Sequence, residues 1–277
     1  MFECHDDAAD SVAGGGPNGP SCRASPPGPI GTISGDRSVL GSRHAGKQGP
    51  ITLNSSPVLA LIPDFQEGPR IGAVVERARR FLPVIVIDDG STDDTAEQAE
   101  LAGATVVRQI PNQGKGVALR TGFRLALDRG TEAVVTLDAD GQHDPAEIPS
   151  FLDEFGTWRP ELVIGRRDFA AMPPVRRLSN SLGRRVLSAA IGMDVPDNQS
   201  GYRLVGRRLM RVMVESREAG FQFEVEMIAR CIALDLPMAW VPIRTIYAGE
   251  PSHIRPLVHL RSFLRMARDA RRIVRKR

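Results

Sequence analysis

Two aspartates one residue apart, Asp138 and Asp140, follow directly on the apolar run Ala133–Leu137. An apolar run cut off by a turn signal reads as a buried strand of a parallel sheet. Ligands of open α/β sheets bind just beyond the carboxyl ends of such strands. Two carboxylates held that close repel each other unless positive charge sits between them. A divalent cation bridging a diphosphate supplies that charge, because Mg²⁺ is usually held by one or two carboxylates plus phosphate oxygens. Gln142 is placed as a further ligand, and His143 as a packing or hydrogen-bonding residue. The same stretch also reads as a plain polar turn, with Asp144 capping the next helix and Pro145 as its first residue.

Two other polar breaks fall at ends of apolar runs. Val58–Ile62 closes on Pro63-Asp64-Phe65-Gln66-Glu67, and Val84–Ile87 closes on Asp88-Asp89-Gly90-Ser91. Carboxylates there can accept from ring N–H groups or hydroxyls, or can simply cap a helix. Asn112-Gln113-Gly114-Lys115-Gly116 opens the helical stretch 117–128, where Lys115 is placed to meet a phosphate and the glycines to allow close approach. Strand-like and helix-like runs alternate four times between residues 57 and 137. That pattern predicts an α/β fold, a doubly wound, mostly parallel sheet with helices on both faces.

The 277 residues suffice for one large domain or two small ones. Residues 1–53 form a Gly- and Pro-rich tail, with ten Gly and six Pro in the first fifty, read here as disordered. The catalytic domain is expected over 54–255. No segment approaches the roughly 18 apolar residues that a membrane span needs. Cys4, Cys22 and Cys231 have no metal-ligand spacing and fit a reducing cytosol.

The order of these motifs resembles that of family 2 glycosyltransferases of the GT-A fold, and within them the dolichyl- or polyprenyl-phosphate sugar transferases. Gly165-Arg166-Arg167, Asp197-Asn198-Gln199-Ser200-Gly201-Tyr202-Arg203 and Tyr247-Ala248-Gly249-Glu250-Pro251-Ser252 carry the narrower likeness. The resemblance implies a nucleotide-sugar donor, of GDP-mannose or UDP-glucose type, held by Pro63, Phe65, Glu67, Asp88, Asp89, Lys115, Asp138 and Ala139. It implies Mg²⁺ or Mn²⁺ on Asp138, Asp140 and Gln142, with Asp140, Asp197 and Arg203 in catalysis. Arg167, Arg177 and Ser181 would take an acceptor phosphate, the last two being four apart on one helix face. Phe65 and Gln66 stand where the family often has Tyr and Asn. The hexose would pass to the lipid phosphate with inversion. An anionic phosphate needs no dedicated base, which leaves Asp197 to orient Gln199 and Arg203.

Residues 256–277 predict a basic amphipathic helix, with Leu257, Leu260, Leu264, Ala267 and Val274 on one stripe and arginines beside it. Such a helix points to a membrane surface at the cytoplasmic face, or to packing on the domain or docking on a membrane protein. Apart from Phe263 no aromatics are interleaved with its arginines to stack on bases, so no nucleic-acid partner is expected. Two rival functions are transfer to a sugar hydroxyl of a cell-envelope glycan, and nucleotide-sugar binding without catalysis.

Overall fold

The computed structural model describes residues 56–172, 174–244 and 256–275. The tail expectation for residues 1–53, and the Tyr247, Glu250 and Ser252 motif, lie outside them. Seven strands form one sheet in the order β3-β2-β1-β4-β6-β5-β7. These are β1 (Val58–Asp64), β2 (Val84–Asp88), β3 (Thr105–Arg108), β4 (Ala133–Thr136), β5 (Leu162–Arg167), β6 (Arg203–Gly206) and β7 (Met238–Ile243). The first four are parallel, and β5 and β7 are parallel to each other. Strands β1, β2 and β4 are buried on both faces, which is why they read as unbroken apolar runs.

Helices cover both faces. They are α1 (Gly68–Ala78), α2 (Thr95–Leu101), α3 (Lys115–Asp128), α4 (Ile148–Trp158), α5 (Pro174–Ile191), α6 (Arg207–Met213), α7 (Gln222–Ala233) and α8 (Pro256–Arg275). Ile71, Val74, Val75 and Ala78 of α1 pack with Ala99 of α2 and Phe151 of α4 on one side of the sheet. Phe123 of α3, Leu209 and Met213 of α6, and Phe223 and Ile228 of α7 fill the other side.

Three local features of the elements bear on the site. Residues 203–206, of which only Arg203 belongs to the flagged stretch 197–203, form β6, which runs antiparallel between β4 and β5. Strand β7 passes through Pro242 unbroken, as an edge strand paired only with β5 can, because proline lacks the donor only on one side. Helix α3 starts two residues early, at Lys115.

Helix α8 does not leave its apolar stripe free. Ala267 and Ala270 are buried, and Met266, Ile273 and Val274 pack against the core. Leu264 is exposed, and the side chains of Leu257 and Leu260 lie outside the described residues. The expected membrane stripe is thus largely a packing face among the described side chains. Among the described residues, no helix is long and apolar enough to cross a membrane.

Candidate active site

The carboxyl ends of β1, β2 and β4 and the start of α3 enclose a cavity of about 420 Å³. Pro63, Phe65, Glu67, Asp89, Lys115, Asp138, Ala139 and Asp140 all line it, so the structure brings together eight residues flagged from separate stretches of sequence. Asp64, Asn112 and Phe221 join them. A larger cavity of about 560 Å³, between α7 and α8, is walled by mixed charges such as Arg217, Glu218, Arg265 and Asp269, and none of the flagged residues lines it.

Lys115 is the hub of the donor cavity. Its Nζ donates to Asp138 Oδ1 at 2.5 Å and pairs with Glu224 Oε1 at 2.9 Å, under the Phe221 ring 5.6 Å away. Burial opposes the ammonium, but Asp138 and Glu224 outweigh it and hold its pKa above the ordinary lysine range. Burial likewise opposes the Asp138 carboxylate, and the positive charges of Lys115 and Arg167 outweigh it, so that Asp138 stays ionised. His143 is buried, and burial keeps it neutral, so its Nδ1 can accept from the Asp138 N–H at 3.2 Å. This matches the supporting role expected for it. Glu224 was not anticipated. Its signal is a glutamate on the face of α7 that otherwise buries Phe223, Met227 and Ile228.

The glycines around Lys115 let the backbone of residues 218–219 approach closely. A Cβ on Gly114 would sit 2.5 Å from Ala219 O, and one on Gly116 would sit 2.6 Å from Glu218 O. The Gly116 N–H donates to Ala219 O at 2.7 Å, and Arg120 Nη1 donates to Ser216 O and Glu218 O. Loop 215–221 is therefore stitched to the start of α3.

Several flagged residues turn out to be braces. Asp88 is fully buried and off the cavity, accepting from the Ser91 N–H and from Arg108 Nε. Asp89 lines the cavity, but accepts from the Gln113 and Gly114 N–H groups and from Gln109 Nε2. Gln142 is not among the lining residues, and its backbone N–H donates to Asp140 Oδ1 at 2.9 Å, which orients Asp140. Arg203 is the clearest correction, because it is 1% exposed and nowhere on the cavity. Its guanidinium donates to the carbonyls of Ser200, Glu224 and Asn198, so it fastens loop 197–202 to α7 and does not touch substrate space.

A second groove of about 510 Å³ gathers Arg166, Arg167, Arg177, Arg184 and Arg185 with Ser181 and Phe169. The three expected acceptor residues, Arg167, Arg177 and Ser181, all line it. Arg167 is tied to Asp197 by a forked pair, Nε to Oδ2 at 2.7 Å and Nη2 to Oδ1 at 2.9 Å. Asp197 is 0% exposed and also accepts from the Gln199 N–H. It does not hydrogen-bond Arg203, contrary to expectation. An acid closed off by a guanidinium fork is poorly placed to take a proton from an acceptor hydroxyl.

A cavity of strand-end carboxylates and a lysine beside an arginine groove defines a glycosyltransferase of the GT-A type. The chain belongs to glycosyltransferase family 2, since residues 60–215 match the model described as "Glycosyl transferase family 2". It is 31% identical over 226 residues to the polyprenol monophosphomannose synthase of Mycolicibacterium smegmatis, covering 74% of this chain and 84% of the relative. It is 30% identical over 203 residues to the undecaprenyl-phosphate mannosyltransferase of Micrococcus luteus, covering 67% and 82%. Its fold matches the glucosyl-3-phosphoglycerate synthase of Mycobacterium tuberculosis in complex with phosphoglyceric acid. That match has a TM-score of 0.61 at 22% identity, over 78% of this chain and 79% of that one.

Proposed function

We propose that this enzyme transfers a hexose from a nucleotide sugar to a polyprenyl phosphate, with inversion in a single displacement. The observation that carries the reading is the pair of cavities. Carboxylates and Lys115 wall the first, and five arginines wall the second. A phosphate monoester fits the second, because forked guanidiniums match its oxygens. The state of Asp197 favours a phosphate acceptor over a sugar hydroxyl, for with Arg167 across both its oxygens it is a positioning group. Arg177 and Ser181, with Arg184 and Arg185 beside them, are then the groups that meet the acceptor anion, and Arg167 is held in register by Asp197.

Asp138 and Asp140 fit a divalent cation of the Mg²⁺ or Mn²⁺ kind. Both line the donor cavity, while the described residues hold no cluster of three or more His, Cys, Asp or Glu able to bind a metal unaided. Two carboxylates completed by diphosphate oxygens are the set such hard cations take. Bound there, the cation would neutralise charge on the departing diphosphate. Lys115 adds a fixed positive charge on the same wall, and Phe65 offers an apolar face to the base.

Delivery to the lipid is assigned to α5. Leu178 is 74% exposed and Leu182 46% exposed, four residues apart, on the helix that carries Arg177, Arg184 and Arg185. Apolar side chains flanked by arginines suit the interface of an anionic leaflet. The decisive experiment is transfer from a panel of nucleotide sugars to a short polyprenyl phosphate, with and without chelator. Turnover that needs both the phosphate and a divalent ion supports the reading. Binding without turnover for every donor would leave a nucleotide-sugar-binding protein, and turnover onto a sugar hydroxyl would move the acceptor class.

A further inference from the structure

Two carboxylates share one ammonium at the wall of the donor cavity. Lys115 Nζ lies 2.5 Å from Asp138 Oδ1 and 2.9 Å from Glu224 Oε1. Lys115 and Asp138 line the cavity, whereas Glu224 does not and is 5% exposed. Glu224 sits in the first turn of α7, where the positive end of the helix favours a carboxylate. Its carbonyl accepts from Arg203 Nη1 and its N–H donates to Phe221 O at 3.3 Å, so its backbone is anchored. Gly201 crowds the cluster from the loop before β6, since a Cβ there would lie 3.0 Å from Lys115 Nζ.

Asp138 alone would balance the charge of Lys115. The second and more deeply buried carboxylate adds a negative charge that is costly away from water, and its retention calls for a reason. Asp138 is claimed twice: by Lys115, and by the divalent cation proposed for the donor complex. If Asp138 were the lysine's one acceptor, a cation taking that carboxylate would leave a largely buried ammonium without an anion, which is strongly unfavourable. An ammonium has three N–H donors and turns on a flexible stem. With Glu224 in reach it keeps one carboxylate when it gives up the other, and the N–H groups set free can turn to diphosphate oxygens.

We propose that Glu224 is a positioning residue for Lys115: it retains the ammonium when the cation and the diphosphate claim Asp138, and so releases that aspartate to the donor complex. This rests on the nucleotide-sugar reading given above. Glu224 itself stays behind the wall and touches no substrate.

The test is calorimetric binding of UDP and GDP to the full chain, with Mg²⁺ and with EDTA, every variant being checked for folding by circular dichroism. The readout is the factor by which Mg²⁺ tightens the preferred diphosphate. For wild type that factor should be at least about fivefold. Glu224→Gln, nearly isosteric, should shrink it at least about threefold, because its lysine is left with Asp138 alone. Glu224→Asp keeps the charge but shortens the reach; it should shrink the factor about twofold and covers the case in which the glutamine variant does not fold. In a Lys115→Met background, Glu224→Gln should change the factor by less than about twofold, since no ammonium remains to be held. A loss that persists undiminished with Lys115→Met would make Glu224 a remote charge acting on the cation directly. Equal weakening with Mg²⁺ and with EDTA would make it a structural prop. Either result, or a wild type indifferent to Mg²⁺, would overturn the assignment while leaving nucleotide binding intact. Failure of wild type to bind either diphosphate would overturn the donor reading as well.

Discussion

Replacing Asp64 by asparagine should change how stability depends on pH, and the size of the change can be worked out. In the folded chain the carboxyl titrates at about 7, against 3.8 unperturbed, chiefly because it is buried. Between those values the folded form holds a proton that the unfolded form has released, so stability falls as pH rises through that window. The loss begins near 3.8 and is complete just above 7. At about 1.36 kcal/mol per pKa unit, the displacement from 3.8 to about 7 corresponds to roughly 4 kcal/mol at most. Asparagine cannot titrate, so every other group cancels in the difference between variant and wild type. Urea unfolding of both proteins without nucleotide, at steps from pH 4 to pH 8, should show Asp64→Asn gaining on wild type by a few kcal/mol across that range, whatever its offset at the acid end. A difference that stays flat with pH would mean that Asp64 ionises normally, and that burial of its Oδ2 without a partner among the described residues is not a feature of the folded protein.

Asp140→Asn should abolish transfer with little change in melting temperature, and wild-type activity should vanish in chelator and return with Mg²⁺ or Mn²⁺; turnover by the variant would remove Asp140 from the site. Arg203→Ala should cost about 3 kcal/mol of stability, measured by urea unfolding, because the carbonyls of Ser200 and Glu224 lose a buried charged donor. Gly201→Ala should impair donor use with the fold retained, since a Cβ there would lie 2.6 Å from Asp138 Oδ2 and 3.0 Å from Lys115 Nζ; unchanged donor KM and kcat would contradict this. Leu178→Asp with Leu182→Asp should reduce sedimentation with anionic liposomes and raise the acceptor requirement more than the donor requirement, whereas truncating α8 should destabilise the domain because Ala267 and Ala270 are buried.

Most of the donor wall was legible in sequence because each piece sits where a buried strand stops. An apolar run that ends on a carboxylate is visible without a structure, and three such runs converge on one sheet edge. What stayed hidden depended on partners far away in the chain. Asp88 and Asp89 look alike as neighbours, yet the first turns onto Arg108 and the second onto the 109–114 loop. The resemblance puts Arg203 in catalysis, and only the carbonyls of α7 and residues 198–200 show it to be a structural pin. Strand β6 is four residues long, opens on that arginine and ends in Gly206, so no alternation marks it. The stripe on α8 was readable as amphipathic, but its pattern alone cannot distinguish lipid from a neighbouring helix as the apolar partner.

The reversed strand has a consequence for how the enzyme can be divided. Because β6 runs against β4, Thr136 pairs with Arg203, and the loop that leads into β6 reaches the edge where β4 releases Asp138 and Asp140. The Thr136 hydroxyl donates to Gly201 O at 2.8 Å across that junction. A fragment that stopped after α4 would keep the parallel strands β1 to β4, but it would leave the apolar, fully buried Ala133–Thr136 as a bare edge, the kind of surface that recruits strands from other copies. The donor half is therefore not a detachable cassette. It is completed by residues some seventy positions downstream, and swaps aimed at changing donor or acceptor must carry both sides of the β4–β6 seam together.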